Sequence, residues 1–166
     1  MNKDLSVMIE DVKLNVRVGA IIRYKGKILV EKNNNVDFGV IPGGRVKTLE
    51  SSKDALIREV KEETGLDVKN LKHCGCVHWH NTETNDKYIV LFYKTNEYSG
   101  ELLKSTDEGE VFFTPIESIN DMPLSPNFDK YLNVFLRDEY TEIFCNWNEK
   151  MKENCDGEPD WDFEYR

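Results

Sequence analysis

Three glutamates within five residues, Glu59, Glu62 and Glu63, are the first feature with chemical consequences. At about 100° per residue of an α-helix, Glu63 lies roughly 40° from Glu59, and Glu62 roughly 60° to the other side. The three carboxylates therefore share a narrow stripe, while Lys61 points to the far side. Like charges at this spacing repel by a few tenths of a kcal/mol per pair (about 0.2–0.5) in an isolated helix. Leu56, Ile57 and Val60 occupy an arc beginning beside Glu63, so the stripe borders the core-facing surface and is expected to be partly buried. Partly buried like charges call for a cation. Hard divalent ions such as Mg²⁺ take oxygen ligands, keep several waters and bind phosphates through the remaining positions. Arg58 stands four residues before Glu62 and can pair with it, leaving Glu59 and Glu63 as the direct ligands. Taken alone, the stripe reads as an ordinary solvated acidic face. The Pro42-Gly43-Gly44 turn before it, the outlying Glu50 and the capped helix end fit a single site instead.

The elements around the stripe follow from local pattern. Ser51 or Ser52 is expected to cap the helix, which runs to Thr64, with Gly65 at the left-handed C-terminal position. Before it, Leu14–Tyr24 and Lys27–Glu31 read as the strands of a hairpin turned at Lys25-Gly26. Asn33-Asn34-Asn35 reads as a polar loop, and Val36–Ile41 as a short extended segment stopped by Pro42-Gly43-Gly44. After the helix, strands are expected at Lys72–Trp79, Lys87–Thr95 and Glu110–Pro115. Phe128–Arg137 is a second amphipathic helix, with Phe128, Tyr131, Leu132, Phe135 and Leu136 at helical spacing. Ile143–Trp147 and Trp161–Tyr165 are paired here as a terminal hairpin. With no linker or composition break, residues 1–166 are read as one domain, with a core of about 13–137 and an extension over 138–166.

The stretch GRVKTLESSKDALIREVKEETGL, residues 44–66, resembles the Nudix box G-x5-E-x7-R-E-U-x-E-E-x-G-U, U being aliphatic, at every specified position. The resemblance extends from about Asn15 to Arg137, including DEGEVFFTPIESI, which is similar to the strand and turn that commonly close such domains. It implies an α/β/α sandwich around a mixed sheet and attack of water on a phosphorus of a nucleoside diphosphate linked to another group. By the same resemblance Glu59 and Glu63 hold divalent ions, Mg²⁺ or Mn²⁺, assisted by Glu62 and the Gly44 carbonyl. Glu50 and Arg58 orient them. MutT-like members often supply a further acid after the central strands. Glu108 matches that position, as metal ligand or general base, with Glu110 as the alternative.

Other residues bear on the substrate. Lys32 resembles a basic residue that contacts phosphate in MutT-like enzymes, Arg45 is a weaker candidate, and Trp79 could stack on a base. Asn127 and Asp129, in Met122–Asp129, stand where relatives that hydrolyse 8-oxo-dGTP read the purine. Leu49 occupies a position that is often glycine, where a positive φ would be costly, so a differently shaped loop is expected. Gly39 stands where many relatives carry an aromatic residue. Cys74, Cys76, His78 and His80 alternate along one strand and would share a face, inviting a zinc reading. Neighbours two apart on a straight strand diverge, however, so a core strand with buried cysteines is the better expectation, and all four cysteines, Cys145 and Cys155 included, are read as reduced.

Bulk properties narrow the partners. With 22 basic and 31 acidic residues the net charge is −9, which repels nucleic-acid polymers and anionic lipid but not a small phosphorylated substrate carrying a cation. The longest apolar runs, such as Tyr88–Tyr93, fall far short of the roughly 20 residues that span a bilayer. Met1–Glu10 has no apolar run fit for a signal peptide, and a cytoplasmic location is expected. The expected reaction is hydrolysis of a nucleoside triphosphate, 8-oxo-dGTP first, to a nucleoside monophosphate and pyrophosphate. ADP-ribose or a nucleotide sugar is the alternative substrate. A nucleotide-sensing module without turnover is the alternative of another class. The aromatic C-terminal stretch could serve a homodimer interface.

Overall fold

A computed structural model of the chain describes residues 12–34, 39–125, 128–147 and 163–166. Its centre is a nine-stranded mixed sheet. The strands are β1 (Lys13–Tyr24), β2 (Lys27–Asn33), β3 (Gly39–Val40), β4 (Gly43–Arg45), β6 (Lys72–Asn81), β7 (Asp86–Thr95), β9 (Gly109–Pro115), β10 (Glu142–Trp147) and β11 (Glu164–Tyr165). The main path runs β11-β10-β6-β7-β1-β2-β3, with β4 on β1 and β9 on β2. A separate pair joins β5 (Asp67–Lys69) to β8 (Glu97–Ser99). Among the described residues the α-helices are α1 (Ser52–Thr64) and α2 (Phe128–Arg137), with a 3-10 turn at Ile116–Asp121 before α2.

Strands β1 and β2 are apolar on both faces, as buried sheets require. On one face Val18, Ala20, Ile22 and Leu29 pack with Ala55, Leu56 and Val60 of α1. On the other, Ile21, Ile28 and Val30 pack with Phe128, Leu132 and Phe135 of α2. The sheet is therefore sandwiched between the helices, as the resemblance implied. Ser51 caps α1, its hydroxyl accepting from the Asp54 amide, and Gly65 ends it at φ 78°.

Three features depart from the local reading. Pro42-Gly43-Gly44 does not merely stop an extended segment: Gly43–Arg45 pairs antiparallel with Arg17–Gly19 of β1. Glycine is required there because a Cβ at Gly43 would strike the Val18 carbonyl. Strand β2 continues through Asn33 rather than ending in a polar loop. Finally, β10 pairs with β11 as a terminal hairpin, Ile143 opposite Tyr165, but it also joins β6 in parallel and widens the sheet. Trp161 and Cys155 lie outside the described residues. No helix among the described residues is long and apolar enough to cross a membrane.

Candidate active site

The acidic stripe of α1 is split by its surroundings. Glu63 points into the sheet and is 6% exposed, Glu59 is half-buried, and the Glu62 side chain is 58% exposed. The Gly43 amide donates to Glu63 Oε2 at 2.9 Å. Gly44 lies directly against the Glu59 carboxylate, and a Cβ on Gly44 would come within 2.6 Å of Glu59 Oε2. Pairing β4 with β1 thus carries both glycines onto the acidic face of α1, which explains why neither bears a side chain.

Arg58 ties the outer acids together. Its Nε and Nη2 donate to both oxygens of Glu50 at 3.1 and 2.7 Å, and Nη2 also donates to the Arg45 carbonyl. Its Nη1 reaches Glu59 at 2.8 Å, whereas Glu62, the partner expected from spacing, sits at 3.4 Å. A two-oxygen grip by the planar guanidinium favours Glu50 over a single exposed oxygen of Glu62. Hydrogen bonds from Arg58 and from the Lys47 amide pull the Glu50 carboxyl down to about 2. The loop before it keeps the glycine-like backbone after all: Leu49 has φ 72° with its side chain fully exposed. The strain is accommodated rather than avoided.

The inner acids have the opposite environment. Glu31 of β2, Glu63 and Glu108 place ligand oxygens within 4.8 Å of one another. Burial, then the neighbouring Glu31 charge, pushes the Glu63 carboxyl up to about 8 against the Gly43 hydrogen bond. Burial and the Glu108 charge raise Glu31 as well. An all-oxygen donor set with unbalanced negative charge suits a hard divalent ion.

These acids open onto a cavity of about 370 Å³ whose other walls include Arg17, Ile41, Phe92, Ser125, Phe128 and Tyr131. Glu110 instead faces Lys32 across the β2–β9 ladder and is exposed. Lys32 shares the strand face of Ile28 and Val30, away from α1, and neither it nor Arg45 lines the cavity. Trp79 stacks on Tyr88, ring centroids 5.2 Å apart, and packs against the α2-side core. Asp129 is exposed, and Asn127 lies outside the described residues. Glu31 and Arg17 were not singled out in the sequence. The signal for Glu31 was a lone acid ending the apolar run Ile28-Leu29-Val30.

The cysteine–histidine run of β6 does not present one face. A bulge between His73 and Gly75 breaks the alternation. Cys74 enters the core with Val77, His78 meets Glu142 at 2.6 Å, and His80 bonds Asn85. Cys74 and Cys76 are free thiols.

Residues 13–136 match the NUDIX domain model. The chain belongs to the Nudix family. It is a Nudix hydrolase, and such enzymes act on nucleotide diphosphate substrates and generally use divalent metal ions. YtkD of Bacillus subtilis, provisionally named an 8-oxo-dGTP diphosphatase, is 30% identical over 139 residues, 82% of this chain and 80% of its own. The ADP-ribose pyrophosphatase of Methanocaldococcus jannaschii is 30% identical over 126 residues, 74% of this chain and 73% of its own. Among solved structures, the MutT protein of Bacillus halodurans superposes with a TM-score of 0.70 at 21% identity, covering 92% of this chain and 96% of that one. This Nudix hydrolase therefore shares a MutT-like fold.

Proposed function

We propose that this Nudix hydrolase cleaves a nucleoside triphosphate, 8-oxo-dGTP first, by water attack on phosphorus, releasing a nucleoside monophosphate and pyrophosphate with Mg²⁺ as cofactor. The observation that carries the reading is one cavity joining the acidic cluster to an apolar, aromatic wall. The acids suit a cation-bound polyphosphate, and Phe92, Phe128 and Tyr131 suit a flat base. When bound, Mg²⁺ supplies neutralisation of the phosphate charge and a more acidic water.

In this reading Glu59 and Glu63 hold the cation with the Gly44 carbonyl. Glu62, already exposed beside Arg58, completes the set on the solvent side. Arg58 and Glu50 fix the Glu59 carboxylate. Glu108, which lines the cavity, would join Glu59 and Glu63 as a ligand. Arg17, the cation among the cavity walls, takes a phosphate oxygen. Lys32, Arg45 and Trp79 would contribute only to a substrate reaching beyond the cavity, and Asn127 is kept as a base-reading candidate two positions from Ser125.

The relative from Methanocaldococcus jannaschii supports ADP-ribose as the second reading. A panel of 8-oxo-dGTP, dGTP, CTP and ADP-ribose with Mg²⁺ separates them. Pyrophosphate release from 8-oxo-dGTP at least about tenfold faster than from dGTP is expected. Faster release of AMP and ribose 5-phosphate from ADP-ribose would replace the first reading by the second. Indifference to every substrate would leave a nucleotide-sensing module.

A further inference from the structure

The strand β2 carries an acid that the box does not contain. Glu31 is 2% exposed, and no described residue donates a hydrogen bond to its carboxylate. It stands on the same face as Leu29, which packs beneath α1, so the strand's alternation delivers a carboxylate where an aliphatic side chain would pack without penalty. An ionised carboxylate buried without a donor or a counter-charge is unfavourable. Among the described residues nothing supplies that partner, and the carboxylate faces the cavity it shares with Glu63 and Glu108.

The geometry points to Glu31 as a further protein ligand of the divalent cation, on the inner side of the site with Glu63 and Glu108. Strands β2 and β9 pair Glu31 with Val111 and Asn33 with Gly109. The Asn34 amide donates to the Glu108 carbonyl at 2.8 Å, which closes the end of that ladder and sets Glu108 beside Glu31. Glu63 enters from α1 on the opposite side. The three ligand oxygens lie within 4.8 Å of one another. Oxygens bound to one divalent ion at 2.0–2.6 Å can stand no more than about 4 to 5 Å apart, so a single ion can reach all three. The cation is thus held between sheet and helix, one ligand coming from each of three chain segments. This inference rests on the proposed hydrolase chemistry but concerns binding of the metal alone.

Mn²⁺ binding to the full chain without nucleotide, followed by loss of the free-ion EPR signal, tests it alongside thermal unfolding of the metal-free protein. Glu31→Gln is expected to weaken Mn²⁺ affinity at least about tenfold. The same variant is expected to raise the metal-free Tm, because it removes an unpaired buried charge. A merely structural glutamate would lower that Tm. Glu110→Gln, on an exposed neighbouring position, should bind Mn²⁺ as the parent does. The inference is overturned if Glu31→Gln binds Mn²⁺ within about twofold of the parent while Glu63→Gln loses it, or if Glu31→Gln unfolds at a lower temperature or fails to fold. If Glu63→Gln also binds as the parent does, the proposed metal chemistry itself falls.

Discussion

Two groups of glutamates lie within one helix's reach and meet opposite fates. The outer group, Glu50 with Glu59 and Glu62, surrounds Arg58 and shares its single positive charge. The inner group, Glu31, Glu63 and Glu108, forms no ion pair among the described residues, although Arg17 lines the same cavity. Glu50 is held well below the ordinary carboxylate value and Glu63 well above it. The same residue type thus does two jobs. Held by arginine through both oxygens, as Glu50 is, it is scaffolding, and left without such a grip between sheet and helix, as Glu63 is, it calls for a metal ion. Arg58 spans the boundary, since it grips Glu50 and also steadies Glu59.

The comparison is broken most severely at Glu63. Glu63→Gln is expected to lower Mg²⁺-dependent turnover by more than about 100-fold with the fold intact by circular dichroism, since a ligand should matter more than the groups behind it. Near-normal turnover would remove the distinction between the two groups. Arg58→Ala should cost about 10- to 100-fold in kcat/KM without contacting substrate, because Glu59 and Glu50 lose their common anchor. Arg58→Lys should rescue little, as an ammonium cannot grip both oxygens of Glu50.

Metal-free stability should respond to pH in two windows of opposite sign. Glu63 titrates at about 8 when folded and near 4.5 when unfolded, so the folded protein keeps a proton that the unfolded chain releases. Stability contributed this way falls as pH rises from about 4.5 to 8. Glu50 is depressed to about 2, so its contribution is present above about 4.5 and lost as pH falls towards 2. Tm measured across pH should therefore decline on both sides. Glu63→Gln should flatten the alkaline side and Arg58→Ala the acid side, and saturating Mg²⁺ should suppress the alkaline decline. The smallest effect is expected at Leu49, whose positive φ serves the loop leading to Glu50. Leu49→Gly should stabilise by about 1 kcal/mol in urea unfolding, through relief of left-handed strain. Destabilisation would mean that the exposed side chain has a role of its own.

The outer group, together with Glu63 of the inner one, was the more legible part of the site. Glu50, Arg58, Glu59, Glu62 and Glu63 lie within one helix and its approach, where spacing converts directly into angle. Glu31 and Arg17 belong to strands buried on both faces, where a neighbouring run of apolar residues does not reveal which face holds the site. The strand at Gly43–Arg45 was hidden for another reason. Glycines have low strand propensity, and their place is set by the carbonyl and carboxylate they must approach. Similarly, the bulge at His73–Gly75 reverses the face expected for Cys74, and nothing local announces it. Pairing of β10 with β6 joins residues far apart in sequence, which periodicity within either strand cannot encode.

That last pairing has a consequence for how the protein comes into being. Strand β1 finds its parallel neighbour only when Asp86–Thr95 has been made, and β6 stays bare along Cys76–Asn81 until Glu142–Trp147 arrives. Parallel partners so distant in the chain make for slow assembly, and an uncovered edge in the meantime is an invitation to pair with another nascent copy. A chain halted after α2 would carry every acid of the candidate site yet lack the cover for that edge. Its failing would be aggregation during synthesis, before any chemistry could be measured.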